Sequence, residues 1–476
     1  MPAFPDKTTA AVPVWDAGGA PWRGAVAKAE VLWWAAGLYL AGFFLFPNHW
    51  WQDGWMWAVV LPAALWARMR RRADGLPETR GVAAAVAAWL AGFCLLSLAQ
   101  HPAAGREKWP LLLGMALDVA GVALLVCAVA RATAETEGTR FLQRCCVAAA
   151  VLAAVVSVFI FYGLNGGVTF GARLRNWFVH GGQHPVPTAI TFGFAALWAG
   201  LGLARSANRA AAWGWGLSLF GLNVAVAFSQ SRGASLALLA ATVVLALVVR
   251  RKRAWFPLAF VLLALGTFHF LSPHLAERAR LAKLNPGQTV VPASPATARD
   301  ARVPPNGLKR WVERGDAGRF NLYQLLLRRQ DGPADLFFGK GWTAAHSGER
   351  ELGWPATHPH SVLVSTYYHG GQFALVGLIF FLAFLFARAV ELWRAGLGVD
   401  CLVLLCYGCV ALTFDGESLT TIFTEPRFES LVFWVPVGLV AGRCRRLPAA
   451  LAAATPAETP AQWHEESEAR RAVISP

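Results

Sequence analysis

The sequence predicts an all-α integral membrane protein of about twelve transmembrane helices with one large extramembrane loop. Three observations carry that prediction. Of the 476 residues, 56% are hydrophobic and only 15% charged, and the mean hydropathy is +0.43, more apolar than an ordinary soluble domain. The apolar residues fall in runs close to the ~20 residues that cross a bilayer. The basic residues fall between those runs, concentrated on alternate sides as the positive-inside rule requires.

The spans are expected near 30–46, 54–68, 82–99, 110–130, 145–163, 187–204, 212–229, 233–249, 254–271, 362–387, 398–414 and 429–443. With the N-terminus inside, the cytoplasmic loops hold Arg68, Arg70, Arg71, Arg72 and Arg80, the Arg250 to Arg253 cluster, and Arg443, Arg445 and Arg446. The short outer loops carry few arginines. The chain thus divides into a cytoplasmic segment 1–29, helices one to nine over 30–271, a loop over 272–361, helices ten to twelve over 362–446, and a cytoplasmic tail 447–476. Asp6 and Asp16 precede any apolar run, so no cleavable leader is expected. Tryptophan-rich edges such as "NHWWQDGWMW" fit an interfacial aromatic belt.

The net charge of +15 would raise nucleic acid as a partner of a soluble protein. Orientation of the spans accounts for it here, and no nucleic-acid partner is expected. The eight cysteines lie in apolar runs or at their basic ends, so no disulfide framework follows; Cys406 and Cys409 form a CxxC that is read as packing.

Several chemistries lack their residues. No GxxxxGK[ST] occurs, which argues against nucleotide hydrolysis, and no HExxH or paired DxD offers a metal site. Asp415 and Glu417 in "FDGESLTT" are the nearest acidic pair, read either as a cation site or as solvated or arginine-paired carboxylates. What the outer side does offer is arginine and histidine: Arg173 and Arg175 in "GARLRNWF", His180 and His184 in "VHGGQHPVPT", Arg232 in "SQSRGASL", Arg319 in "AGRFNLYQ", and His358, His360 and His369 in "THPHSVLVSTYYHGG". A guanidinium stays charged and presents a donor fork matched to phosphate oxygens, so converging arginines suit a diphosphate. Arg232 stands between two apolar runs, where a charge is costly unless it faces a wet cavity, a partner or the interface. Histidine can take a proton from a sugar hydroxyl near neutral pH. Each of these residues also has a bland reading, as a snorkelling or solvated arginine or a structural histidine. Asp118 and Asn223, inside apolar runs, are read as interhelical hydrogen bonds or as an ion path. In the loop, "GDAGRFNLYQLLLRRQ" is expected to form an amphipathic helix, with Asp316 as N-cap and Phe320, Tyr323 and Leu327 on its apolar face.

As an ordered set, "SQSRGASLALLA", "GRFNLY…LFFGKGW" and "HPHSVLVSTYYHGG" resemble the O-antigen ligase and polymerase superfamily over roughly residues 165–435. The resemblance implies a C-type, metal-independent, inverting glycosyltransferase without cofactor, in the bacterial inner membrane with its site facing the periplasm. It implies an undecaprenyl-diphosphate-linked glycan as donor and, for the ligase branch, lipid A-core as acceptor, with membrane lipids around the chain. Carried over residue by residue, it places the functional arginines at Arg232 and Arg319 and the catalytic histidine at His360. Arg173, Arg175, His184 and His358 join them as candidate substrate-binding residues. Ser361 stands where the family usually has asparagine, which keeps His358 in competition with His360. An O-antigen polymerase, a protein O-oligosaccharyltransferase and a lipid-linked-glycan or solute transporter are the competing expectations.

Overall fold

The structure is a computed structural model, and it describes residues 30–70, 82, 84–89, 92, 108–164, 173–179, 184–249, 252–283, 319–341, 359–416, 419 and 428–447. Among the described residues 87% are helical and no strand occurs. The helices are α1 (Val31–Leu45), α2 (His49–Trp55), α3 (Leu61–Arg70), α4 (Lys108–Thr133), α5 (Thr136–Val158), α6 (Pro185–Arg205), α7 (Arg209–Ser229), α8 (Arg232–Val249), α9 (Phe256–Lys283), α10 (Arg319–Arg328), α11 (Pro333–Phe338), α12 (Val362–Arg394), α13 (Val399–Asp415) and α14 (Val435–Cys444). Helix α9 continues to Lys283, past the expected span end at 271 and into the stretch assigned to the loop.

Six helices among the described residues are long and apolar enough to cross a membrane: Ala116–Thr133, Thr136–Leu164, Pro185–Arg205, Arg209–Ser229, Arg232–Val249 and Val362–Arg394. They coincide with six of the expected spans, and Val31–Leu45 and Ser430–Cys444 are shorter apolar helices at the places of two more. The protein is an α-helical, membrane-embedded molecule on this ground. Most of the expected run 82–99 lies outside the described residues.

Burial ranks the helices. Helix α6 is buried along nearly its whole length, whereas the most apolar stretch of α12 is largely exposed, so α6 is central and that part of α12 peripheral. Its sequence, rich in Gly and Ala, lets neighbours approach closely, as membrane helices require where the hydrophobic effect drives no association. Helix α6 packs most extensively on α7, α8 on α13, α4 on α14, and α1 on α5. Some polar side chains that enter the core find carbonyls: Tyr407 Oη donates to Ile190 O at 2.7 Å and Trp55 Nε1 to Ala35 O at 2.9 Å. Unpartnered, such groups would be costly in a water-free interior. Trp50 and Trp51 of α2 are exposed. Cys406 and Cys409 are free thiols, and Cys409 packs against the core.

One end of the bundle is locked by charge. Asp400 at the start of α13 is wholly buried and pairs with Arg443 near the end of α14 and with Arg205 at the end of α6. Both arginines sit at helix C-termini, where the macrodipole favours a cation. The opposite end gathers the starts of α6, α8 and α12 with the ends of α7 and α13, and it carries the candidate site.

Candidate active site

The "SQSRGAS" stretch is a helix reversal with almost no loop. Helix α7 ends at Gln230, whose backbone is left-handed (φ 56°), and Ser231 caps α8 by accepting from Ala234 N at 3.4 Å. Arg232 is therefore the first residue of α8, delivered to the end of the bundle by the turn itself. The following glycine has its own reason. A Cβ on Gly233 would lie 2.2 Å from Asp415 Oδ2, so only glycine lets the first turn of α8 meet the end of α13.

Asp415 ends α13, and its side chain is 1% exposed. Its Oδ1 pairs with Arg319 Nη2, while Arg319 Nη1 donates to the neighbouring Phe414 O. Its Oδ2 has no hydrogen-bond partner among the described residues. Arg173 and Arg232 act on it electrostatically besides Arg319. One buried carboxylate thus organises three arginines from three separate parts of the chain.

Residues 173–179 are stitched to the same end. Arg173 Nε donates to Ser229 O at 2.8 Å and Leu174 N to Phe228 O at 3.1 Å. The buried Asn176 donates through Nδ2 to Phe44 O at 3.0 Å, and its backbone N–H donates to Thr188 Oγ1 at 3.0 Å. The segment carrying Arg173 and Arg175 is thereby fixed against α1, α6 and α7. His184 is the N-cap of α6, with Nδ1 accepting from Val186 N at 3.4 Å, which leaves the proton of its neutral ring on Nε2. Although the residue as a whole is exposed, its imidazole is held below the ordinary value by partial burial, then by Arg173 and Arg175.

His360 sits one residue before the N-cap of α12, in a left-handed conformation (φ 56°) that non-glycine residues rarely adopt. Its carbonyl accepts from Tyr323 Oη of α10 at 3.5 Å. Its imidazole is pushed down to about 4 by burial first, then by the charges of Arg319 and His184. The ring is accordingly neutral at pH 7. His369 serves differently: it is buried, with Nδ1 at 2.9 Å from Ser365 O one turn back in α12.

Arg173, Arg175, His184, Arg232, Arg319 and His360 therefore meet in one chain of electrostatic contacts around Asp415. His358 and Glu417, and with them the competition between His358 and His360, lie outside the described residues. No protein-family model matches the chain, and no curated protein matches it. Among the described residues no group of three or more His, Cys, Asp or Glu could hold a metal ion. Asp118 is buried and partnered, whereas both side-chain polar atoms of the buried Asn223 lack a hydrogen-bond partner among the described residues.

Of the readings open for Asp415, arginine pairing is the one the structure shows, with Arg319 as the partner that sequence could not name. A pair of residues 96 apart, on two different helices, leaves no local signal. The face expected of the loop helix is corrected. Phe320 and Leu327 are exposed, and α10 buries Leu322 and Leu326 instead, against Tyr368 of α12. Spacing alone could not choose, because "FNLYQLLL" offers two apolar stripes, and α12 selects the aliphatic one.

Proposed function

We propose that the chain is a metal-independent, inverting glycosyltransferase that ligates an undecaprenyl-diphosphate-linked O-antigen glycan to lipid A-core at the periplasmic face of the bacterial inner membrane. The observation that carries the proposal is the convergence of four arginines and two histidines, drawn from four distant stretches, at one end of a membrane-embedded helix bundle. Anionic lipid-linked leaving groups are what such a cluster is built to stabilise: fixed guanidinium forks placed where negative charge develops lower the barrier without reorganising in the reaction.

In this reading Arg232 and Arg319, with Arg173 and Arg175, hold the diphosphate at the bundle end. The acceptor hydroxyl oxygen attacks the anomeric carbon, the bond from that carbon to the phosphate oxygen breaks, and undecaprenyl diphosphate leaves with the electron pair. The hydroxyl proton passes to the His360 imidazole. His360 starts neutral, so its lone pair is ready to receive it. A diphosphate bound beside Arg319 offsets that arginine's charge and raises the basicity of His360 in the complex, since a nearby anion favours the imidazolium. The donor thus tunes the base that consumes it.

The test is a reaction of pure, reconstituted protein with undecaprenyl-diphosphate glycan and lipid A-core in chelator, products read by mass. Glycan on lipid A-core supports the ligase. Lengthened lipid-linked glycan assigns the same site to a polymerase, glycan on an added acceptor protein assigns it to a protein O-oligosaccharyltransferase, and counterflow without a new bond assigns the chain to transport.

A further inference from the structure

Helix α12 is broken inside its own length. At Gly371 the backbone turns to φ 67°, ψ −165°, and the helical hydrogen-bond ladder is interrupted there. Two carbonyls at the break, those of Tyr368 and His369, are taken up by the segment after α11: Lys340 N donates to Tyr368 O at 2.9 Å and Gly341 N to His369 O at 2.9 Å. Gln330 Nε2 adds a second donor to Tyr368 O at 3.4 Å. The two backbones are in direct contact. A Cβ on Gly371 would lie 2.3 Å from Phe337 C, and one on Gly339, itself at φ 77°, would lie 2.4 Å from Gly370 N. Phe337 and Phe338 close over Phe373 with ring centroids 5.6 and 5.4 Å apart.

The same stretch of chain touches α12 again further up, through α10. Leu322 and Leu326 of α10 pack on Tyr368, and Tyr323 Oη reaches His360 O. One piece of chain, Arg319 to Gly341, is thus fastened to the first half of α12 along its whole length. Arg319 stands at one end of that piece and His360 at the matching end of the helix. We propose that Gly339 and Gly371 form a backbone clamp that positions Arg319 against His360, fixing the separation between the diphosphate-binding arginine and the proton-accepting histidine. The glycines touch neither substrate nor reacting atoms and act only through the two residues they register. They explain two sequence features that the site itself left unused, the "GKG" of "FFGKGW" and the "GG" of "YYHGG".

The roles given to Arg319 and His360 rest on the transferase reading, but the clamp is testable without it. Folding of each variant is checked by size-exclusion elution and tryptophan fluorescence, and the ring of His360 is titrated by NMR in lipid nanodiscs, its signal assigned by loss in His360→Gln. In the wild-type chain the ring is expected to titrate well below its ordinary value, at about 4, under the combined influence of burial, Arg319 and His184. Loosening the clamp lets His360 shift away from Arg319, which its bonds to Asp415 and Phe414 O keep in place. Gly371→Ala, and the milder Phe373→Ala if Gly371→Ala does not fold, are each expected to raise the midpoint by roughly half a pH unit or more, a threefold rise in proton affinity. In an Arg319→Gln background the same substitutions are expected to add nothing. A folded variant with an unchanged midpoint overturns the proposal, as does a full further change in the Arg319→Gln background. Since titration needs no turnover, loss of the transferase reading would leave this result standing on its own.

Discussion

Breaking the Arg319–Asp415 pair from its two sides should give unequal losses. In Arg319→Gln the carboxylate stays behind with its side chain 1% exposed and its second oxygen already lacking a hydrogen-bond partner. Removing one partner of a buried pair costs about 3–5 kcal/mol when the remaining charge is uncompensated. Arg173 and Arg232 still attract Asp415, which brings the expected loss to about 2–3 kcal/mol. In Asp415→Asn the stranded group is a guanidinium whose side chain is 24% exposed and which keeps its bond to Phe414 O. It can recover hydration, so the expected loss is about 1 kcal/mol, that of one ordinary hydrogen bond. Thermal unfolding in mild detergent, followed by tryptophan fluorescence, compares the two variants and the double variant. Repeating the series at high salt checks that a buried pair, unlike a surface one, is little screened. Asp415→Asn as damaging as Arg319→Gln, or no coupling in the double variant, would refute the reasoning.

Further expectations concern the chemistry and the opposite end of the bundle. Arg232→Ala should lower the transfer rate constant by about 10²- to 10³-fold, the cost of one preorganised donor to a developing anion, measured with saturating acceptor. Transfer needs the neutral imidazole, so activity falls as pH drops through the His360 pKa. The acid limb of kcat/KM, which reports free enzyme, should lie near the value of about 4, and that of kcat should lie at higher pH because the bound diphosphate raises the base. The same depressed group makes the folded state bind its proton less readily than the unfolded chain, so stability should decline as pH falls from about 6.5 toward about 4, seen as a falling Tm that His360→Gln flattens. Asp400→Asn leaves two arginines at the locked end without their carboxylate and should cost about 3–5 kcal/mol, lowering Tm while the specific activity of the surviving folded protein is unchanged.

What the sequence made legible follows from what membranes demand. Six long apolar runs became helices at the expected places, because a bilayer leaves the backbone few alternatives. Arg232, Arg319, Arg173, Arg175, His184 and His360 could each be named, since charge and imidazole stand out against an apolar background. Their arrangement could not be. The ion pair of Arg319 with Asp415 depends on the start of α10 reaching the end of α13, and the bond from Tyr323 to the His360 carbonyl on α10 meeting the start of α12. The break at Gly371 lies inside a continuous apolar run, and the local pattern carries no signal of the chain segment that fills it. Local periodicity likewise misassigned the face of α10, because tertiary contact with Tyr368 decided between two apolar stripes.

The most direct test separates binding from bond formation at the cluster. Binding of undecaprenyl-diphosphate glycan and its single-turnover transfer to lipid A-core are measured for the wild-type chain, His360→Ala and Arg232→Ala in nanodiscs. The account predicts that His360→Ala binds donor as the wild type does and transfers none, while Arg232→Ala is weakened in both. Full transfer by His360→Ala, or donor binding indifferent to Arg232, would contradict it.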